Sequence, residues 1–240
     1  MRVSRLLLIL ATLLMALPTA PATRGGQPAP ILDEVQEHLD EAKRHHANGS
    51  LEMASAHAEM VLLSDDVSFF VKYEGLPSGL EQTSEEALDG ALKVWETSLR
   101  DTVKFTRTSD ESKADVVVRF KKDVRMGREP VAGFANWKRI IKTDSAGQVV
   151  EASFTADLQI RTMDLNLKPM EAAAIQHEVM HEMGHVLGLE DCEDSHNLMG
   201  PLDLRRPVSG PRSHEAQAVW DLRNQARRIR LETDALARQQ

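Results

Sequence analysis

Cysteine is almost absent from this chain. Cys192 is the only one in 240 residues, so no disulfide can form within it. Stability must come from packing and from any bound metal. The chain also lacks a basic surplus. Lys and Arg number 29 against 37 Asp and Glu, for a net charge of −8. Such an acidic chain is a poor partner for nucleic acid or an anionic membrane. Past residue 22 there is no long apolar run, so no membrane anchor is expected beyond that point. What is present suffices for a core: hydrophobic residues make up 42% of the chain. The length allows one good-sized domain plus an appendage.

The first 22 residues differ from the rest. Arg2 and Arg5 precede an apolar run from Leu6 to Leu17, and Ala20-Pro21-Ala22 follows. That is the layout of a secretory signal peptide, expected to be removed after Ala22. The expected location is therefore secreted, extracellular or periplasmic. Residues 23–30 read as a linker.

The densest chemistry lies between His177 and Pro201, HEVMHEMGHVLGLEDCEDSHNLMGP. Within it, His181-Glu182-x-x-His185 puts two imidazoles one helical turn apart on one face. Two such nitrogens form half of a catalytic zinc site, with Glu182 free to take a proton from water. An overlapping register, His177-Glu178-x-x-His181, is also present. His177 and His185 are ~12 Å apart along a helix, too far for one ion with bonds of about 2 Å. The downstream residues favour the second register. Gly188 suits the left-handed turn that ends a helix, and Asp191 follows three residues later. From His177 the corresponding third position is Leu187, which cannot bind metal. Asp191 leads as third ligand on spacing; Asp194 and His196 are rivals, otherwise read as solvated loop residues.

HEMGHVLGLED followed by NLMGP resembles the metzincin zinc peptidases, and within them the matrixins. The resemblance implies one catalytic zinc, held by His181, His185 and a third ligand, with Glu182 as the catalytic residue. It implies a methionine turn at Met199 that floors the metal, and a protein or peptide substrate. The family's third histidine is replaced here by Asp191, and zinc accepts a carboxylate oxygen. The order of elements in ALKVWETSLRDTVKFTRTSDESKADVVVRF is also similar to the family, so the resemblance covers about residues 65–225. It implies an α+β fold: a twisted, mostly parallel sheet with an antiparallel edge strand, packed on long helices. No histidine and aspartate set matches the structural calcium that the family often carries. Cys192 has no role by this resemblance and reads as a free loop thiol.

Along the chain, apolar spacing from Ile31 to Ala42 and from about Ser50 to Leu63, broken at Asn48-Gly49, predicts a helical hairpin over 31–64. A lone hairpin cannot bury its apolar face. It must pack on the rest of the chain, serve as a partner-binding unit, or act as a self-inhibiting prosegment. His38, His45, His46 and His57 on it are expected to be solvent-exposed. Strands are expected over Val67–Tyr73, Val103–Arg107, Ala114–Phe120, Val131–Ile141 and Val149–Arg161. A helix capped by Thr83 or Ser84 should bury Trp95. By resemblance the Val131–Ile141 strand is the sheet edge beside the cleft, where Phe134 and Trp137 either border the cleft or simply pack. Lys121 to Pro130 carries no pattern. Pro169 to Leu187 should form the long zinc helix, and Leu202 to Pro207 a wall of the substrate pocket. The peptidase domain is taken as 65–225. A last helix from Ser213, with Ala216, Val219, Trp220, Leu222 and Ile229 as its apolar residues, should run into a charged helix end or tail at 226–240, with Arg223 to Arg230 a solvated face.

The reading is a secreted zinc endopeptidase. The rival is a non-catalytic zinc-containing binding protein that recruits a partner through the hairpin. An intact Glu182 speaks against it, because a structural site has no use for a general base.

Overall fold

Strand β1 (Asp66–Glu74) buries Val67, Phe69 and Val71 on one face, the period-two pattern of a strand covered on that side. The same alternation buries Val116, Val118 and Phe120 in β3 (Val116–Lys121). With β2 (Lys104–Arg107), β6 (Gly133–Thr143) and β7 (Val149–Arg161) they form one sheet, in the order β2-β1-β3-β7-β6. The first four are parallel, and β6 runs antiparallel to β7 at the edge. The computed structural model describes residues 29–239. The expected signal peptide and most of the expected linker lie outside the described residues. Among the described residues no helix is long and apolar enough to cross a membrane.

The five expected strands all enter this sheet. Two short strands were not expected: β4 (Val124–Met126) and β5 (Glu129–Val131) form a hairpin within the polar stretch 121–130. Three-residue strands are too short to show a periodic pattern. Helix α3 (Leu80–Ser98) starts earlier than its polar residues suggest. Its N-cap is Gly79, and Ser84 is fully buried inside the helix instead of capping it. Leu80 supplies the reason, because its buried side chain anchors the first turn in the core. Helix α4 (Ala172–Val186) packs with α3 and the sheet in one core that includes Trp95, Leu88, Ile175 and Met180. The Trp95 indole Nε1 donates to Met180 O at 2.9 Å.

The helical hairpin is α1 (Asp33–Ala47) and α2 (Leu51–Leu62). Its apolar seam, with Val35, Leu39, Ala54 and Val61, meets Leu222, Ala226 and Ile229 of α5 (Ser213–Ala237). Of the three ways to cover that seam, the chain packs it on itself. The charged stretch from 226, expected as a helix end or tail, stays helical to Ala237, with Ile229 in the hairpin seam and Thr233 buried. The hairpin is also tied in at its start. Leu32 N donates to Gly188 O at 2.9 Å, and Glu190 N to Pro30 O at 3.0 Å.

The last turn of α2 leaves carbonyls without intrahelical partners. Leu63 and Ser64 follow in left-handed backbone, at φ 61 and 95, so the chain cannot continue the helix over them. Two arginines fill the gap. Arg223 of α5 donates to Leu62 O, to Ser64 O at 3.1 Å and to Thr102 O at 3.2 Å. Arg139 of β6 donates to Met60 O at 3.0 Å and to Val186 O at 3.2 Å. Arg223 is buried, contrary to the solvated face expected for 223–230, and burial pushes its guanidinium down to about 10. Arg227 bonds Asp65 at 2.7 Å. Periodicity could not separate these residues from a solvated face, because their partners are backbone carbonyls distant in sequence. Arg223→Ala leaves Leu62 O and Ser64 O unpaired, while Thr102 O still accepts from Arg227 at 3.1 Å; the change should cost about 3 kcal/mol, lowering the unfolding temperature by roughly 6–12 °C. Arg227→Ala should cost about 1 kcal/mol or less. Equal losses in a thermal melt would refute the clamp.

Candidate metal centre

Helix α4 carries His181 and His185 one turn apart, with side chains 13% and 12% exposed. Each ring is turned by a loop carbonyl: His181 Nδ1 donates to Leu198 O and His185 Nδ1 to Leu189 O, both at 2.9 Å. A carbonyl can only accept, so Nδ1 carries the proton and Nε2 is left with its lone pair. Leu187 caps the helix and Gly188 takes φ 103, a left-handed turn that a side chain would strain. The reversed chain brings Asp191 back over the helix. Its Oδ1 lies 3.2 Å from His181 Nε2 and 3.4 Å from His185 Nε2.

One donor atom from each of His181, His185 and Asp191 lies within 4.8 Å of the others. Asp194 and His196 bond each other instead, Oδ1 to Nδ1 at 2.8 Å, on the exposed side of the loop. The donor set fits zinc. Three lone-pair atoms facing one point repel unless a cation lies between them. Without metal that cation is a proton. Burial is the largest single influence and opposes it, but the Asp191 bond together with the Glu178 and Glu182 carboxylates outweighs burial and raises His181 to about 9. Hydrogen bonds from His181 and His185 hold the Asp191 carboxyl well below the usual range, as an anion. Two imidazoles and one carboxylate are a zinc donor set that leaves a fourth position for water or substrate.

Glu182 sits beside the two rings and is buried. Burial, and then the neighbouring Glu178, push its carboxyl well above the usual range; burial also raises Glu178. Both side chains press on Gly133 of β6. A Cβ there would stand 2.4 Å from Glu178 Oε1 and 2.6 Å from Glu182 Oε1. Edge strand and helix thus approach as closely as the carboxylates allow. Between them opens a cavity of about 580 Å³ lined by Phe134, Trp137, Glu182, His185, Met199 and Leu202 among others. Phe134 and Trp137 therefore do border it. Trp137 also lies 6.1 Å from the His185 ring and donates from Nε1 to Glu34 Oε2 at 3.0 Å. Of the expected wall, Leu202 reaches the cavity, while Asp203, Arg206 and Pro207 line a separate depression. Cys192 is a free thiol on the loop. His177, of the rejected register, is buried and accepts from Val208 N at 2.8 Å.

Met199 is buried and faces the cavity. Its turn is held by Glu215, which sequence reasoning missed. The Glu215 carboxylate accepts from Met199 N at 2.9 Å, Leu198 N at 3.2 Å and Arg212 N at 2.6 Å. A glutamate three residues into a helix was the available signal, although it does not reveal the long-range partners. Glu178 was missed as a cleft residue because it was weighed only as part of the other register. The hairpin histidines also depart from expectation. His38, His45 and His57 are half-buried and meet at one face of α1 and α2.

Comparison with known proteins fits this geometry. The matrixin family model matches residues 65–209, more than half of the chain. The chain is a zinc metallopeptidase. It belongs to the matrixin family. An archaemetzincin from Methanopyrus kandleri shares 12% identity at a TM-score of 0.44, covering 66% of this chain and 96% of that one. Among proteins of curated function none matches by sequence. The Glu215 contact predicts that Glu215→Gln, which puts an amide donor among three N–H groups, lowers zinc affinity by about 10- to 100-fold. Competition with a zinc chelator measures this, and unchanged affinity would remove Glu215 from the support of the site.

Proposed function

We propose that this matrixin is a secreted endopeptidase with one catalytic zinc held by His181, His185 and Asp191. The observation that carries the reading is the convergence of their three donor atoms on one point beside Glu182. Zinc supplies Lewis acidity there, polarising the scissile carbonyl and making water a nucleophile near neutral pH. Glu182 takes the proton of the attacking water and passes it to the leaving amine. Glu178 lies against it in the same buried space, so Glu182 stands ready to hold a proton between the two transfers. His181 and His185 are kept in one tautomer by Leu198 O and Leu189 O. An extended peptide adds to the free edge of β6, where backbone pairing binds it with little dependence on sequence. Met199 floors the site.

Secretion is supported by Arg2, Arg5, the apolar run Leu6–Leu17 and Ala20-Pro21-Ala22. N-terminal sequencing of the exported protein should begin at Thr23; an intact Met1 end would refute cleavage there.

The decisive assay is digestion of a mixed peptide library by metal-stripped protein with and without added zinc. Cleavage should return with zinc and fall by about 100- to 10,000-fold in Glu182→Gln. Asp191→Ala should stay folded but lose its zinc, and His196→Ala should keep it. Zinc retained by the Asp191 variant and lost by the His196 variant would hand the third position to the rival residue.

A further inference from the structure

We propose a second, separate metal site on the helical hairpin, in which Glu41, His45 and His57 bind a divalent transition ion such as zinc. One potential ligand atom from each lies within 4.8 Å of the others. No part of the peptidase chemistry uses these residues.

The site is built from the packing of α1 on α2. On α1, His38, Glu41 and His45 fall at i, i+3 and i+7, along one stripe of the helix. Beside that stripe runs the apolar seam of Val35, Leu39 and Ala42. On α2, His57 faces the stripe next to Ala54 and Ala58, so its ring points across the helix pair. The His45 and His57 rings stack with centroids 5.5 Å apart. His38 Nδ1 lies 3.0 Å from His57 Nδ1. One of those two nitrogens must donate to the other, so His38 holds the His57 ring in orientation. A neighbour of that kind commonly fixes a metal-binding histidine.

The donors already face a cation. Arg44 makes an ion pair with Glu41, and its Nη2 lies 3.3 Å from His45 Nε2. His45 Nε2 therefore presents a lone pair, and its distance to Glu41 Oε2 is 3.5 Å. The Arg44 side chain is 57% exposed, while those of Glu41 and His45 are 33% and 18% exposed. Arg44 can swing into water at little cost, whereas the ligands are held by the helix packing. Two imidazole nitrogens and one carboxylate select zinc and its neighbours over calcium or magnesium, which prefer all-oxygen shells. A metal there would clip α1 to α2 and add its binding free energy to the stability of the hairpin.

The test uses the untagged chain, stripped with chelator, reloaded with zinc and dialysed, with metal counted by mass spectrometry. Two equivalents are expected in the wild type. His181→Ala/His185→Ala should keep one, and zinc should still raise its unfolding temperature. Adding Glu41→Gln/His57→Ala to that background should remove both the remaining equivalent and the shift. In the otherwise native chain, Glu41→Gln/His57→Ala should lose one equivalent and keep peptide cleavage. Circular dichroism reports whether α1 and α2 persist, and Glu41→Gln alone serves if the double change unfolds them. A single equivalent in the wild type that vanishes with His181 and His185 overturns the proposal. So does a second equivalent that survives loss of Glu41 and His57.

Discussion

Three lone pairs are aimed at one point between α4 and the loop that follows it, and they repel unless a cation separates them. His181 and His185 are fixed so that their Nε2 atoms face Asp191, because loop carbonyls occupy both Nδ1 protons. Neither ring can turn away without breaking a bond to Leu198 O or Leu189 O. The two carbonyls lie on segments that themselves need support. Leu189 follows the Gly188 turn, and Leu198 is held by Glu215 from α5. Beneath, Trp95 fixes Met180 O of the same helix from α3. The metal centre is thus the meeting point of three helices and two stretches of the one loop between α4 and α5, not the property of one motif.

A second constraint explains the appended hairpin. Its apolar seam needs a cover, and the final turn of α2 needs hydrogen-bond donors. Helix α5 meets both needs, through Leu222, Ala226 and Ile229 for the seam and Arg223 for the carbonyls. Arg139 connects the same turn to Val186 O, next to the metal-facing end of α4. The segment before α1 pairs with Gly188 and Glu190, on the loop that carries Asp191. A hairpin bound at these places is poorly suited to detach as a prosegment. Its removal would expose the seam and release the Asp191 loop.

Most of the fold was legible because its signals are local. Strands β1 and β3 and the Phe154–Ile160 part of β7 alternate, and α4 ends at a glycine in the position that a left-handed turn requires. The edge position of β6 followed from a family resemblance and agrees with the strand order. The β4–β5 hairpin was too short for a pattern, and the start of α3 was decided by the burial of Leu80 against the preference of a polar cap. The charged face of α5 looked solvated because nothing local distinguishes an arginine that reaches water from one that reaches a carbonyl.

The sequence alone determined the class of chemistry: two histidines one turn apart with a glutamate between them, a stop after the helix, and no cysteines to spare for a disulfide. Spacing along a helix is enough for that, since the helix itself sets the geometry. Only the tertiary structure decided which loop residue shares the point with those rings, which buried arginines hold the helix ends, and that Glu178 lies against Glu182. It alone brought Glu41, His45 and His57 together across two helices. Those outcomes depend on how segments far apart in the chain pack, and no period in the sequence encodes a contact of that kind.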